Sequence, residues 1–198
     1  MPTGAGRLGF WYLNQSQDID FLADWMLLTY TFTDGRDLDT RTKITNPAIS
    51  GDYVGWGRSQ TQRGCLTWGG DNTGTGLESV LIDLNSFRSS FPNSAELTVD
   101  FRCMWYGSVG YNPVVLAATL YQGGTMNKSG YTWIPSGTTG QVSLNSQGKV
   151  VNYSSRSSAD NGYHFANITY NVNTGIGGIN TVDVADINES LSYIVDEK

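Results

Sequence analysis

Charged residues are scarce in this sequence. They make up only 15% of its 198 residues, whereas aromatic residues make up 12%. A disordered chain carries more charge and fewer aromatic residues, so the composition indicates one folded domain with its own core. The 12 lysine and arginine residues never form a run, and the formal net charge is -6. Because binding to phosphates requires a basic patch, this composition argues against nucleic acid as the main partner.

Long hydrophobic runs are also missing. No apolar stretch is long enough to span a membrane, so we expect no membrane partner. The opening residues MPTGAGRLGF lack the basic start and the apolar block of a signal peptide, so we expect no export signal there.

Histidine and cysteine are too few for several kinds of catalytic or metal site. His164 is the only histidine and no G-x-S-x-G motif accompanies it, so a Ser-His-Asp triad is not indicated. In a strand, His164 would lie on the same face as Ala166 and Ile168, which predicts a packed or hydrogen-bonded histidine on an inward face. Cys65 and Cys103 lie far apart in apolar segments, which argues against zinc and favours two buried free thiols. A disulfide between neighbouring strands stays open as an alternative.

Alternation of apolar and polar residues dominates the pattern that remains. It is clearest from Leu97 to Trp105, where Thr98, Asp100 and Arg102 separate apolar residues. Glycine, asparagine and serine punctuate the other apolar segments, which predicts an all-β chain folded as a single β-sandwich with at most short helical turns. The pattern does not specify the topology, and a jelly-roll-like sandwich stays open. Further strands are predicted at residues 10–13, 25–32, 53–56, 65–68, 79–84, 113–123, 131–134, 141–144, 149–153 and 163–172. A short helical turn is predicted within 85–93, ended by Pro92.

The last segment of the chain differs from the rest. It follows a pair of glycines, carries several acidic residues and is only weakly amphipathic. We therefore expect a β-sandwich domain over residues 1–178 and an acidic C-terminal tail, or a linker to a partner, over 179–198.

A glycine-rich acidic loop precedes the strand predicted at 79–84. In the segment GGDNTGTGLES, Asp71 and Asn72 offer side-chain oxygens, and Glu78 follows just after the loop. The four glycines of the loop allow a backbone in which successive carbonyl groups point inward. Calcium prefers six to eight such oxygen ligands. A plain hairpin turn is the alternative interpretation.

A second acidic element lies at Asp37-Leu38-Asp39. Residues i and i+2 of a strand share a face, so Asp37 and Asp39 are expected to project side by side. Two neighbouring carboxylates repel each other, and a divalent cation relieves that repulsion. A salt bridge to Arg36 or Arg41 is the alternative, in which case the cluster is an ordinary charged surface.

These two elements together resemble the calcium-binding motif of the tellurium-resistance (TerD) family, which is a β-sandwich family. The similarity covers roughly residues 37–84, from DLD to GDNTGTGLESVLIDL. It implies a TerD-like sandwich, with a jelly-roll-like one as the alternative, and a calcium ligand set of Asp37, Asp39, Asp71, Asn72 and Glu78, joined by the backbone oxygens of Thr73 and Gly76. The family has a longer acidic stretch after its glycines than the LES found here, so we expect one calcium ion rather than two.

The whole chain resembles virion structural proteins of tailed phages, in the style of the large myoviruses that infect marine cyanobacteria. The segments DLDTRTKI, YVGWG, LYQGGTM and GYTW carry this resemblance. It implies a capsid, tail or fibre component, located in the virion, that assembles with other virion proteins and as a homo-oligomer. No catalysis is implied.

Two other functions remain as alternatives. The first is a cellular TerD-like calcium-binding stress protein. The second is a carbohydrate-binding adhesin or depolymerase that recognises a host glycan, since exposed aromatic rings stack on sugars. Trp56 and Trp133 lie near turns and are expected to be the exposed rings, whereas Trp25, Trp68, Trp105 and Tyr121 are expected in the core.

Overall fold

The structure, a computed structural model, describes residues 17–49, 51, 53–58, 63–146 and 148–182. The elements in chain order are β1 (Gln17–Asp20), β2 (Trp25–Phe32), β3 (Leu38–Asn46), β4 (Val54–Gly55), β5 (Leu66–Trp68), β6 (Gly76–Asp83), α1 (Leu84–Ser90), β7 (Glu96–Tyr106), β8 (Val115–Gln122), β9 (Thr125–Ser129), β10 (Thr132–Ser136), β11 (Gly140–Asn145), β12 (Ser154–Ser155), β13 (Tyr163–Asn171) and β14 (Ile176–Thr181). Strands joined by turns dominate the part of the chain that the structure describes, as the sequence predicts.

Two main sheets pack face to face and form the β-sandwich. One has seven strands in the order β1-β14-β13-β7-β3-β4, with β12 added to β7 in parallel, and the other has five in the order β11-β8-β2-β6-β5. Apart from the β12 pairing, neighbouring strands within both sheets run antiparallel. The predicted all-β sandwich is therefore confirmed.

The core lies between the two sheets and is filled by alternate residues of their strands. The buried core face of β7 carries Leu97, Val99, Phe101, Cys103 and Trp105, and that of β2 carries Met26, Leu28, Tyr30 and Phe32. Edge-to-face contacts join the sheets, with ring centroids 5.9 Å apart for Tyr30 and Phe101 and 6.0 Å apart for Phe32 and Trp105. Such aromatic pairs add stabilisation beyond the area that they bury.

A hairpin of β9 and β10, here called the covering hairpin, lies over the outer face of the five-stranded sheet. Its Trp133 is only 6% exposed because it packs against Leu27, Leu81 and Tyr121. The prediction of an exposed Trp133 is therefore wrong: its position near a turn matters less than the apolar sheet face beneath it. Trp56 is 38% exposed, as predicted.

The helix α1 occupies the place of the predicted helical turn. Asp83 caps its N-terminus by accepting hydrogen bonds from the backbone N–H of Ser86 at 2.8 Å and from the hydroxyl of Ser86 at 2.7 Å. Leu84 and Phe87 are its buried residues, and Pro92 follows shortly after its end. The N-cap satisfies backbone donors that the first turn leaves unpaired.

The lone histidine and the cysteines have defined environments. Cys65 and Cys103 are both buried and free, as predicted. His164 does not lie on the inward face, because the register of β13 against β7 shifts between His164 and Ala166. Its side chain is partly exposed and faces Asp100, with Nε2 3.9 Å from a carboxylate oxygen. The prediction of an inward-facing histidine is wrong because one extra residue in β13 reverses the alternation of inward and outward side chains.

Several expectations concern the ends of the chain and its shorter strands. The strand β14 continues to Thr181, although the tail was expected to begin at residue 179. The tail from residue 183 onward lies outside the described residues, as does the strand expected at 10–13. Residues 149–153 form no strand, although Lys149 forms an isolated β-bridge with Val114. Within the described ranges, no helix has the length and apolar character required to cross a membrane.

Candidate metal centre

The two aspartates of the DLD segment are placed by β3. Leu38 and Thr40 are buried toward the core, so strand alternation puts Asp39 and Arg41 on the opposite face. The backbone carbonyl of Asp37 accepts a 3.0 Å hydrogen bond from the N–H of Tyr106, which extends the pairing of β3 with β7 by one residue. Asp37 and Asp39 are therefore held at the start of a central strand.

The third acid comes from the loop between β5 and β6, residues 69–75, here called the cation loop. Asn72 organises this loop with its own side chain, whose Oδ1 accepts from the N–H of Gly74 at 3.2 Å and whose Nδ2 donates to the carbonyl of Leu77 at 3.2 Å. The N–H of Gly69 donates to the carbonyl of Ser79 at 2.7 Å and fixes the start of the loop. These bonds hold Asp71 in place.

The structure brings Asp37, Asp39 and Asp71 together in a cluster, here called the acidic triad. Each offers one carboxylate oxygen, and the three oxygens lie within 4.8 Å of one another. Asp39 is only 3% exposed, and the Oδ1 atoms of Asp37 and Asp71 are shielded from solvent without any hydrogen-bond partner. Buried polar atoms are normally paired, so these two oxygens are available to bind a ligand.

The electrostatics of the acidic triad disfavour three negative charges without a counter-ion. Burial raises the pKa of Asp37 to about 6, and the charges of Asp71 and Asp39 add to the rise. Burial also raises the pKa of Asp39, where Arg41 opposes the change, and it raises the pKa of Asp71. A cation among the three carboxylates offsets both the burial and the mutual repulsion.

The arginines that offered an alternative explanation do not pair with the acidic triad. Arg36 donates a hydrogen bond to the carbonyl of Val109 and stacks on Tyr111, with its guanidinium carbon 5.0 Å from the ring centroid. Arg41 is fully buried and donates to the carbonyls of Thr40 at 3.0 Å and Asp160 at 3.3 Å. Among the described residues, neither arginine forms an ion pair with a triad carboxylate.

The remaining candidate ligands lie around the triad rather than in it. Glu78 is fully buried between the sheets; its Oε1 accepts from the N–H of Asn72 at 3.1 Å and its Oε2 accepts from the hydroxyl of Thr40 at 2.5 Å. Burial raises its pKa to about 8. Asn72 is occupied by the loop, Thr73 is exposed, and Gly76 opens β6.

Thr40, the partner of Glu78, escaped sequence reasoning. The sequence suggests Arg41 only as a salt-bridge partner of the aspartates, whereas it is a buried positive charge close enough to Asp39 to oppose the rise of its pKa. Alternation along DLDTR places Arg41 on the face of Asp39 and Thr40 on the opposite face, so both positions were detectable in principle.

The donor set of the acidic triad suits a hard divalent cation. Three carboxylates supply up to six oxygen atoms and no nitrogen or sulfur ligand, which matches calcium and not zinc. Fully ionised, they carry three negative charges, and a divalent ion among them offsets two of these.

Comparisons with known proteins found no match to the chain, neither among protein-family models, nor among curated proteins, nor among solved structures. The function is therefore inferred from the geometry and the chemistry of the residues themselves.

Proposed function

We propose that this chain is a non-catalytic structural protein whose β-sandwich is stabilised by one calcium ion bound at the acidic triad. The observation that supports this most directly is the convergence of Asp37, Asp39 and Asp71, from two separate segments, to within 4.8 Å. The ion ties the start of β3 to the cation loop and stiffens that end of the sandwich.

Calcium fits better than the other common hard cation. Magnesium requires near-ideal octahedral geometry and keeps several of its waters, whereas calcium accepts irregular sets of six to eight oxygens. The site is confined, with Asp39 almost fully buried and two triad oxygens shielded from solvent. Bidentate carboxylates then supply most of the ligands, and few positions are left for water.

In this proposal the protein is a component of a tailed-phage virion, where it assembles with other virion proteins and with further copies of itself. The support for this setting is the resemblance of its motifs to phage structural proteins, together with a sheet-built domain of low charge. A bound ion that fixes loop geometry suits an assembly role, because docking onto a neighbouring subunit requires a rigid surface.

Thermal unfolding in calcium and in EGTA tests the cation site. Binding restricted to the folded state stabilises it by about 2.7 kcal/mol at a hundredfold excess over Kd. For a chain of this length, that corresponds to a rise in Tm of roughly 5–10 °C. D71N should abolish most of this rise, because Asp71 contributes one of the three converging oxygens.

The matched control is D20N. Asp20 is exposed at the end of β1, at the opposite edge of the seven-stranded sheet from β4 and four strands away from β3. It should keep the full calcium response of the wild type. An equal Tm for the wild type in calcium and EGTA, with D71N unchanged, would remove calcium from this account.

The virion setting is tested separately by mass spectrometry of purified particles. Recovery of this chain in stoichiometric amounts supports a structural role in the particle. Its absence from virions, combined with a calcium-dependent Tm, favours instead a cellular TerD-like calcium-binding protein, for which the same acidic triad would serve.

A further inference from the structure

Glu78 reaches two segments of the chain at once from the interior of the sandwich. It is fully buried on the core face of β6, directly opposite Tyr30 of β2. Its Oε1 accepts the N–H of Asn72 at 3.1 Å, and its Oε2 accepts the hydroxyl of Thr40 at 2.5 Å. Both carboxylate oxygens are thus already engaged by protein donors.

The two partners of Glu78 stand in a particular relation to the acidic triad. Asn72 directly follows Asp71, and Thr40 directly follows Asp39. One buried side chain therefore holds the immediate neighbours of two triad residues that come from different segments. It fixes the separation between the cation loop and β3.

The backbone of β3 separates Glu78 from the coordinating side of the site. Thr40 faces the core, where Glu78 meets it, while alternation puts Asp39 on the other face of the same strand. Glu78 is also absent from the group of acids whose oxygens lie within 4.8 Å of one another. Its place is next to the site and not in the coordination shell.

We propose, on the basis of the calcium function proposed above, that Glu78 is a positioning residue of the cation site and not one of its ligands. It sets the distance between Asp39 and Asp71 by bonding to the residues that follow them. Groups that orient metal ligands through hydrogen bonds affect affinity strongly; their loss typically costs about 10- to 100-fold. The hydrogen bonds of Glu78 thus fix the geometry of the site before the ion binds.

Substitutions of Glu78 distinguish a positioning residue from a calcium ligand. E78Q keeps an oxygen acceptor for Asn72 and an amide that donates to the hydroxyl of Thr40, but it cannot ionise to the carboxylate that a calcium ligand would provide. We expect its calcium Kd, measured by isothermal titration, to stay within about 3-fold of the wild type, and that of E78A to rise about 10- to 100-fold. If E78Q loses affinity as severely as D71N does, Glu78 is a ligand and the proposal is wrong.

Thr40 provides a second variant in case E78A does not fold. T40V nearly keeps the shape of the side chain and replaces the hydroxyl that donates to Glu78 with a methyl group. It should weaken calcium binding in the same direction as E78A, while Asp37, Asp39 and Asp71 stay intact. Unchanged affinity in T40V and in a folded E78A would overturn the positioning role.

Amide hydrogen exchange in EGTA provides a readout that needs no cation. The N–H of Asn72 is protected by its bond to Glu78, so it should exchange slowly in the wild type and in E78Q and fast in E78A. Equal exchange in all three proteins contradicts the proposal. Failure of the wild type to bind calcium overturns the proposed function, whereas tight binding with E78A equal to the wild type overturns only the role of Glu78.

Discussion

The hydroxyl of Ser79 donates a 2.6 Å hydrogen bond to the carbonyl of Tyr131 and so joins β6 to the turn of the covering hairpin. The N–H of Gly69 bonds in turn to the carbonyl of Ser79. A side chain at Gly69 would meet the same Tyr131 carbonyl, because a Cβ there would lie 2.2 Å from its oxygen. The cation loop and the covering hairpin therefore share one tightly packed junction.

Substitution of Gly69 by alanine should displace the covering hairpin. The added methyl group cannot fit against a backbone carbonyl, so we expect a loss of about 2 kcal/mol or more, together with weaker calcium binding because Asp71 follows within the same loop. Denaturant unfolding measures the loss, and hydrogen exchange of β9 and β10 locates it. The matched control is G74A in the same loop, where no atom lies within 4 Å of the new Cβ. Equal stability of the two variants would contradict the tight junction.

Without calcium, the protein should lose stability as the pH rises from about 5 to 8. Burial raises the pKa of Asp37 to about 6 and that of Glu78 to about 8. Both lie above the value near 4 of an unfolded chain, so the folded state binds more protons in this window and stability falls with rising pH. Denaturant unfolding in EGTA at several pH values should show this fall, most of it due to Glu78, because Asp37 is partly exposed and solvent screens its contribution.

Calcium should reverse that dependence, because it binds the ionised carboxylates whose formation destabilises the ion-free protein. The free energy gained from calcium is expected to grow over the same pH range. E78Q should flatten the part of the ion-free profile between pH 6 and 8, since only Glu78 among the acids near the site has its pKa raised to about 8. An ion-free profile that rises with pH would refute this electrostatic account.

Trp105 should be the tryptophan whose substitution destabilises the sandwich most directly. Its ring is fully buried, packs edge-to-face on Phe32, and donates from Nε1 to the carbonyl of Val151 at 2.9 Å. W105F leaves a void and an unpaired carbonyl, so a loss of about 2–3 kcal/mol is expected in denaturant unfolding. W56F, at a partly exposed ring, should change stability by less than about 0.5 kcal/mol. Similar losses in the two variants would show that the core does not depend on Trp105 in this way.

Strand alternation was enough to predict most of the sandwich and the pairing of Asp37 with Asp39, because period-2 burial is a local property. The same rule applied to β6 puts Glu78 on the face of Val80 and Ile82, inside the core. The resemblance to a calcium motif implies that Glu78 is a ligand, whereas its burial in the core supports the positioning role proposed above.

Other features required information that a single segment does not contain. The register shift before Ala166 moves His164 to the outer face, and no local sequence pattern predicts that shift. The burial of Trp133 depends on the covering hairpin folding back onto Leu27 and Leu81, which are distant in sequence. Asp71 meets the DLD segment only because two sheets pack together. The resemblance to a calcium motif suggests this contact, but the sequence alone does not give the distances between the carboxylates.

The carbohydrate-binding alternative now depends on Trp56, since Trp133 of the covering hairpin is buried against the five-stranded sheet. A structural role in a virion predicts no signal from the purified protein on a glycan array. If a glycan does bind, W56A should abolish binding without loss of stability, because this ring is 38% exposed and free to stack on a sugar face. W133A is the contrasting variant: it should lower stability by about 3 kcal/mol through loss of hairpin packing, with binding affected only as far as the fold is lost. A glycan signal that W56A removes selectively would replace the purely architectural function with recognition of a host surface.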